Sequence, residues 1–429
     1  MRVSERSITI ISLFYYFFVF SLFFSEFAQS VIKISYITYY DELLLLLFVV
    51  VSLWLTRGSV HRLFLYPLVV FLAGILFSII GPFFDGFEKV IVQSVLNFKL
   101  FILWVLLFIF FRRCGYRDQR KILFYLWLIS VCGFLINFIY PASFYGLLKT
   151  DDAVVRERFG SLRIEGLQLK PNDLAIFMSF YCFYLVDCIK NGIGRKWISL
   201  FCLFISLFVI VFTGSRVGII GFFLAIISGL KVRSSSLLPL LIVLPGIVIM
   251  FSLSKYGVSL IDSIVRDLSH FENIEESKYI RGIMIYYGTY LAAEYFPIGV
   301  GAGNFGTVYS EGSAVYDYLG ISQLEFFQNF WGIFDSNYAS LVGEYGFLLF
   351  VCMVFIFYRY ISLFGNLVGL TNQNISRRLA FLIFSFSLII LLSNPLFMHH
   401  YTALSLFIVM LGLVGNRRIN LSYEGIIST

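Results

Sequence analysis

The chain has 429 residues, of which 59% are apolar, 19% aromatic and 13% charged, with a formal net charge of +7. Its mean hydropathy is +0.89, and its share of charged residues is about half that of an ordinary globular protein. A single aqueous core stops growing near ~300 residues, so the composition excludes a water-soluble enzyme, a nucleic-acid binder and a disordered chain. It points instead to an all-α polytopic membrane protein.

Apolar runs of about 20 residues, enough to cross a hydrocarbon core, fall at 8–28, 43–56, 63–83, 91–111, 121–140, 172–190, 197–213, 217–231, 237–253, 337–358, 379–397 and 399–415. The expectation is therefore twelve transmembrane helices. None of these runs alternates apolar and polar residues, as the strands of a barrel would. The basic start Met1-Arg2-Val3-Ser4-Glu5-Arg6 precedes an apolar run too long for a cleaved signal peptide, so a retained first helix is expected. The chain divides into helices 1–9 over residues 1–253, a large loop domain over 254–336, and helices 10–12 with a tail over 337–429.

With the N-terminus inside, 19 of the 32 basic residues fall on the inner side, as the positive-inside rule requires. Both ends are then cytoplasmic, and the net charge reflects orientation, with no implication of a nucleic-acid partner. Cys114, Cys132, Cys182, Cys188, Cys202 and Cys352 all fall in helices or on the inner side, which implies no disulfide framework. No CxxC or HExxH spacing occurs, so neither a metal nor a cofactor is expected.

Two outer segments are too long to be simple connections. The first, 141–171, holds Arg156, Arg158 and Arg163 among Asp151, Asp152, Glu157 and Glu165. The second, 254–336, sets four basic residues against ten acidic ones, a net of −6. Helical periodicity is expected over 260–271 and 279–295, and an interfacial helix over 321–334. The seventeen aromatic residues of this loop suit an interfacial belt, or stacking on sugar rings. Residues 301–306 match G-x-G-x-x-G, but they follow a proline rather than a strand and do not read as a dinucleotide fingerprint. A glycine turn that brings backbone amides near an anion remains open.

Charges at membrane depth complete the picture. Gly214-Ser215-Arg216 separates two spans with almost no loop, which tethers Arg216 near the outer surface. Asn97 and Lys99 lie in the outer half of the fourth span, where Asp173, Asp335 and Glu344 on other spans are available as partners. His399 and His400 open the last span and are expected to be structural. Arginines converging on an outer, membrane-level site suit a lipid pyrophosphate, because a guanidinium is permanently charged and binds phosphate oxygens in a bidentate fashion. Pyrophosphate is already a good leaving group, so such a site needs charge stabilisation and one base for an incoming hydroxyl.

Four patches then resemble the O-antigen polymerase and O-antigen ligase superfamily of bacterial inner-membrane glycosyltransferases. Arg163-Ile164-Glu165-Gly166 with Pro171-Asn172-Asp173-Leu174-Ala175 looks like the family's R-x-x-G…P-N-x-x-A, and Thr213-Gly214-Ser215-Arg216-Val217-Gly218 looks like its T-G-S-R-x-G. Arg281 with Pro297-Ile298-Gly299-Val300-Gly301-Ala302-Gly303-Asn304-Phe305 resembles the large-loop arginine and its glycine run. Asn337-Tyr338 and Glu344-Tyr345-Gly346 resemble the family's H-N-x-Y-L…E-x-G helix. Asp335 stands where the ligases have a histidine, which makes the polymerase the better match.

The resemblance implies a metal-independent, GT-C-like enzyme of the bacterial inner membrane with its active site facing the periplasm. It would transfer a growing glycan from undecaprenyl pyrophosphate to the non-reducing end of a lipid-linked repeat unit, with inversion. Arg216 and Arg281 would hold pyrophosphate, and Asp335 would serve as general base, as N-cap of the tenth span, or as both. Arg163, Glu165, Asn172, Lys99 and Asn304 are the substrate-binding candidates. The implied partners are the lipid-linked repeat units, membrane lipids, a chain-length regulator and a flippase. The alternatives are a ligase acting on lipid A–core and a lipid-linked oligosaccharide flippase.

Overall fold

The computed structural model describes residues 5–32, 65–114, 119–148, 157–158, 161–230, 280–330, 332–368 and 375–427. Expectations for the spans at 43–56 and 237–253, and for segment 260–271, lie outside these residues. The architecture is all-helical. The first helices are α1 (Glu5–Phe23), α2 (Ser25–Ile32), α3 (Leu65–Ile80), α4 (Phe87–Asn97), α5 (Lys99–Cys114), α6 (Gln119–Ile139) and α7 (Pro141–Leu148). A hairpin of two residues per strand, Glu157–Arg158 against Ser161–Leu162, leads into α8 (Pro171–Asn191), α9 (Lys196–Phe212) and α10 (Arg216–Gly229). The rest comprises α11 (Ile280–Glu294), α12 (Ala314–Tyr318), α13 (Glu325–Gln328), α14 (Asn337–Ser362), α15 (Phe364–Leu367), α16 (Arg377–Ser393) and α17 (His400–Ile427).

Local sequence explains the boundaries that position the site. Pro171 opens α8, where a missing N–H costs nothing, and Gly192 closes it in the left-handed conformation. Ser215 caps α10 by accepting from the Gly218 amide. At α14 the cap is Ser336, whose hydroxyl accepts from the Ala339 amide, so the expectation that Asp335 caps this helix is corrected. Asp335 instead ends a 3-10 turn, Ile333–Asp335.

The helix α8 is the axis of the bundle. It is buried from Asp173 to Cys188 and packs against α9, α10 and α17. Small residues make the crossing with α10 close: a Cβ on Gly218 would stand 2.7 Å from that of Ala175, and one on Gly221 2.7 Å from that of Ser179. The helix α14 packs in turn on α3, α11 and α16. Residues 280–335 form a second, smaller core from Met284, Leu291, Val300, Phe305, Tyr316 and Ile333. Several aromatics of the large loop therefore fill its own interior instead of forming a belt.

Three described helices are long and apolar enough to cross a membrane: Gln119–Ile139, Pro171–Asn191 and Asn337–Ser362. A fourth is added if Phe87–Asn97 and Lys99–Phe111, bent by 55° at their junction, count as one span. The expected span at 91–111 is thus broken at Phe98. Leu65–Ile80, Lys196–Phe212, Arg216–Gly229 and His400–Asn416 are apolar but shorter. The run at 8–28 is divided between α1 and α2. The interfacial helix expected over 321–334 is reduced to the four residues of α13 and a 3-10 turn, since Phe330 and Gly332 have positive φ.

The core is apolar and aromatic, yet much of the described surface is apolar as well. Leu68, Val69, Leu72 and Leu76 of α3 and Trp197, Phe201 and Phe204 of α9 point outward, while Gln93, Ser94, Asn97, Ser179, Ser206 and Glu344 are completely buried. Exposed apolar stripes of this size mark an apolar environment or an interface.

Candidate functional site

The polar interior near the start of α14 is built around one carboxylate. Glu344 Oε1 accepts from the Gly303 amide at 2.7 Å and the Thr307 hydroxyl at 2.8 Å, and Oε2 accepts from Asn97 Nδ2 at 2.7 Å. The glycine run does cradle an acidic side chain, and that side chain belongs to the protein. Gly299 and Gly346 make this possible: φ is +69° and +70°, and a Cβ on Gly346 would lie 2.3 Å from the Pro297 carbonyl oxygen. Val300 and Gly301 donate their amides to the carbonyls of Gly343 and Glu344, each at 2.9 Å. This latch fastens the segment after α11 to α14.

Asn304 belongs to the same latch. It is 2% exposed, and its Nδ2 donates to the carbonyls of Phe83 and Val300, both at 2.9 Å. Its expected role in binding substrate is corrected to a structural one, because its amide is spent on the backbone. Lys99 is buried at the start of α5, immediately after the bend at Phe98. It does not line the cavity described next.

At one end of the bundle a cavity of about 470 Å³ opens between the starts of α8, α14 and α17 and the end of α16. Three cations line it, Arg163, Lys170 and Arg281, with the carboxylates Asp173 and Asp335, the imidazole of His399, and the amides of Asn172 and Asn394. These come from segments more than 200 residues apart in the chain.

Arg163 clasps two motifs together. Its Nε donates to the Thr213 carbonyl at 3.1 Å and an Nη donates to Asn172 Oδ1 at 3.0 Å, while the Ile164 amide reaches the Phe212 carbonyl at 3.4 Å. The tight turn at 213–215 is therefore held against the beginning of α8. Arg216 is the first residue of α10 in that same turn, half-buried, and is not part of the cavity lining. Glu165 is also half-buried and outside the lining, with its amide held by Asn137 Oδ1 at 2.9 Å.

Arg281 and Asp335 form an ion pair. Nε and an Nη of Arg281 donate to the same oxygen, Asp335 Oδ2, at 3.2 and 2.8 Å. Both side chains remain partly exposed to the cavity, at 29% and 39%.

Sequence reasoning undervalued the remaining wall. His399 Nε2 lies 3.1 Å from Glu26 Oε1, and its Nδ1 faces Asp173 Oδ2 at 3.7 Å. Lys170 Nζ pairs with the same Glu26 oxygen at 2.6 Å, and Asn394 Nδ2 reaches Asp173 Oδ1 at 3.5 Å. The signal was an acidic residue, Glu26, near the end of an apolar run, where a charge is costly unless it serves a purpose. His399, expected to be structural, lines the cavity between two carboxylates. Glu26, Asp173 and His399 offer ligand atoms close enough for a metal ion, and Lys170 competes for Glu26 through its Oε1.

Searches against protein-family models, curated proteins and solved structures return no match to this chain.

Proposed function

We propose that the chain is a multi-pass glycosyltransferase of the bacterial inner membrane, an O-antigen or related surface-polysaccharide polymerase with both termini cytoplasmic and its cavity facing the periplasm. The frame of this reading is the set of twelve spans expected from the sequence, of which three or four described helices meet the length and apolarity of a span. The observation that carries the proposal is the convergence of Arg163, Lys170 and Arg281 with two carboxylates and an imidazole in one cavity. Its volume of about 470 Å³ falls within the ~300–1,000 Å³ range of sites that hold small ligands.

The donor is a glycan joined through its anomeric carbon to undecaprenyl pyrophosphate. Guanidinium and ammonium groups bind the pyrophosphate and stabilise the charge that grows on it as the C1–O bond breaks. A carboxylate of the same cavity takes the proton of the acceptor hydroxyl. The outward apolar stripes suit acyl chains. A second, wholly apolar groove of about 310 Å³, between α3 and α5, includes Phe71, Phe101 and Ile102 and suits an isoprenoid tail. Phe397, in the segment that lines the polar cavity, packs on Phe101 with ring centres 5.2 Å apart. One ring contact therefore links the groove to the segment that borders the cavity.

The test is a reaction of the purified protein with its host's undecaprenyl-pyrophosphate repeat unit, alone and with lipid A–core. A ladder from the repeat unit alone is the expected result. Product only in the presence of lipid A–core would mean a ligase. Translocation of the lipid without a new bond would mean a flippase.

A further inference from the structure

Building on that glycosyl-transfer reading, we infer that Asp173 is the base that accepts the acceptor's proton, with His399 and Glu26 positioned behind it as a proton path to solvent. Asp335, in turn, positions Arg281. The inference rests on how the two cavity carboxylates are used. Both donors of Arg281 fall on one oxygen of Asp335, so that carboxylate is engaged end-on with a permanently charged group. Its most direct effect is to fix the direction in which the guanidinium points.

Asp173 is differently placed. It is 4% exposed and lines the cavity from the first turn of α8, and Asn394 holds its Oδ1. Its Oδ2 faces His399 Nδ1 at 3.7 Å, just beyond a hydrogen bond, so a small rotation of the imidazole closes the gap. The other ring nitrogen is already 3.1 Å from Glu26, and Glu26 is 2.6 Å from Lys170. Exposure rises along this series, from 5% for the Asp173 side chain to 17% for His399, 25% for Glu26 and 49% for Lys170. The geometry is a graded path from cavity wall to solvent. It pairs two carboxylates with a lysine and an imidazole, so the imidazole can take a proton within a compensated set of charges.

The step balances. The acceptor O–H bond breaks and its proton passes to Asp173 Oδ2 and on to His399 Nδ1. The same oxygen forms the bond to the anomeric carbon, and the C1–O bond to pyrophosphate breaks with its electron pair on the leaving group. The His399 Nε2 proton moves towards Glu26 and is lost to solvent, which leaves the neutral imidazole protonated on Nδ1; exchange of that proton with solvent, with reprotonation at Nε2, restores the site.

The experiment compares Asp173→Asn, Asp173→Ala, Asp335→Asn, Asp335→Ala and His399→Gln with wild type in the reconstituted reaction, alongside binding of a non-transferable undecaprenyl-pyrophosphate analogue. A positioned general base contributes ~10²–10⁴-fold, so Asp173→Asn is expected to lower kcat by that range while analogue binding stays within about threefold. Formate added to Asp173→Ala is expected to restore part of the rate, which a carboxylate with a purely structural role would not permit. His399→Gln lowers kcat less than Asp173→Asn. Asp335→Asn acts mainly on analogue binding, because it loosens Arg281. Near-wild-type kcat in Asp173→Asn, or formate rescue of Asp335→Ala but not of Asp173→Ala, would overturn the inference and leave glycosyl transfer standing. A wild-type protein that forms no bond would refute the underlying reading instead. Elution of each variant as a single folded species, and analogue binding by Asp173→Ala, separate loss of the base from loss of the fold.

Discussion

The Glu344 latch offers the most quantitative test of what holds the site together. Replacing Glu344 with Ala strands three buried N–H and O–H groups, the Gly303 amide, the Thr307 hydroxyl and one N–H of Asn97 Nδ2, which now bond to the carboxylate at 2.7–2.8 Å; the other N–H of Asn97 keeps Tyr345 Oη at 3.0 Å. A buried donor left without an acceptor costs ~1–3 kcal/mol, and because neighbouring losses do not simply add the total is about 3–5 kcal/mol. Glu344→Gln is milder for a reason visible in the neighbours. Its carbonyl can keep Gly303 and Thr307, while its NH₂ would oppose Asn97 Nδ2. Turning Asn97 over relieves that clash but then opposes Gln93, which now donates to Asn97 Oδ1 at 2.9 Å. Gln93 can turn as well, because its Oε1 has no hydrogen bond among the described residues. The expected cost is then about 1–2 kcal/mol.

Thermal unfolding in detergent reads the difference. At ~2–4 °C per kcal/mol, Glu344→Ala should unfold at least about 6 °C below wild type and Glu344→Gln only a few degrees below. Since the latch holds α11, and with it Arg281, against α14, transfer activity should fall in the same order. Equal stability of Glu344→Ala and wild type, or a Gln variant as damaged as the Ala variant, would refute the reasoning.

Other perturbations act on separate parts of the structure. Gly288→Val puts a Cβ where 2.6 Å now separates that position from the Ala339 carbonyl oxygen, so α11 must move off α14. A loss of about 1–3 kcal/mol and at least tenfold lower activity are expected in melting and transfer assays, whereas Gly146→Ala, with open space around it, should melt no lower than wild type. Arg163→Lys keeps the charge but cannot span both the Thr213 carbonyl and Asn172, so binding of a pyrophosphate-lipid analogue should weaken by about tenfold, or 1.4 kcal/mol. In a cysteine-free background, Glu311→Cys should react with a membrane-impermeant maleimide from the periplasmic side and Arg195→Cys only after the membrane is opened; the reverse pattern would invert the topology.

The sequence exposed the parts of this design that depend on residue type. Apolar runs located described helices such as Gln119–Ile139, Pro171–Asn191 and Asn337–Ser362, and Arg163 and Arg281, singled out as a converging pair, line one cavity. Helix α11 over Ile280–Glu294 follows the apolar periodicity expected over 279–295. What could not be read were pairings between distant segments. Glu344 looked like a partner for a cation, but it is satisfied by backbone and amide donors, as its glycine-rich neighbour in space allows. Asp335 and Ser336 both suit a helix start, and only φ/ψ and hydrogen-bond direction show that the serine is the cap. No proline or glycine marks the bend at Phe98, beside which the Leu100 amide donates to the Phe397 carbonyl at 2.9 Å and Asn97 reaches Glu344 at 2.7 Å. His399 and Glu26, 373 positions apart, carry no local pattern that would link them.

The central claim is that this cavity breaks a bond between a sugar and undecaprenyl pyrophosphate and makes a glycosidic bond in its place. The most direct measurement counts undecaprenyl pyrophosphate released per glycosidic bond formed by the purified protein in proteoliposomes. One molecule of lipid pyrophosphate per new bond, with both products lost together in Arg281→Ala, is the expected result. Repeat units that cross or leave the bilayer intact, with no lipid pyrophosphate released, would contradict it.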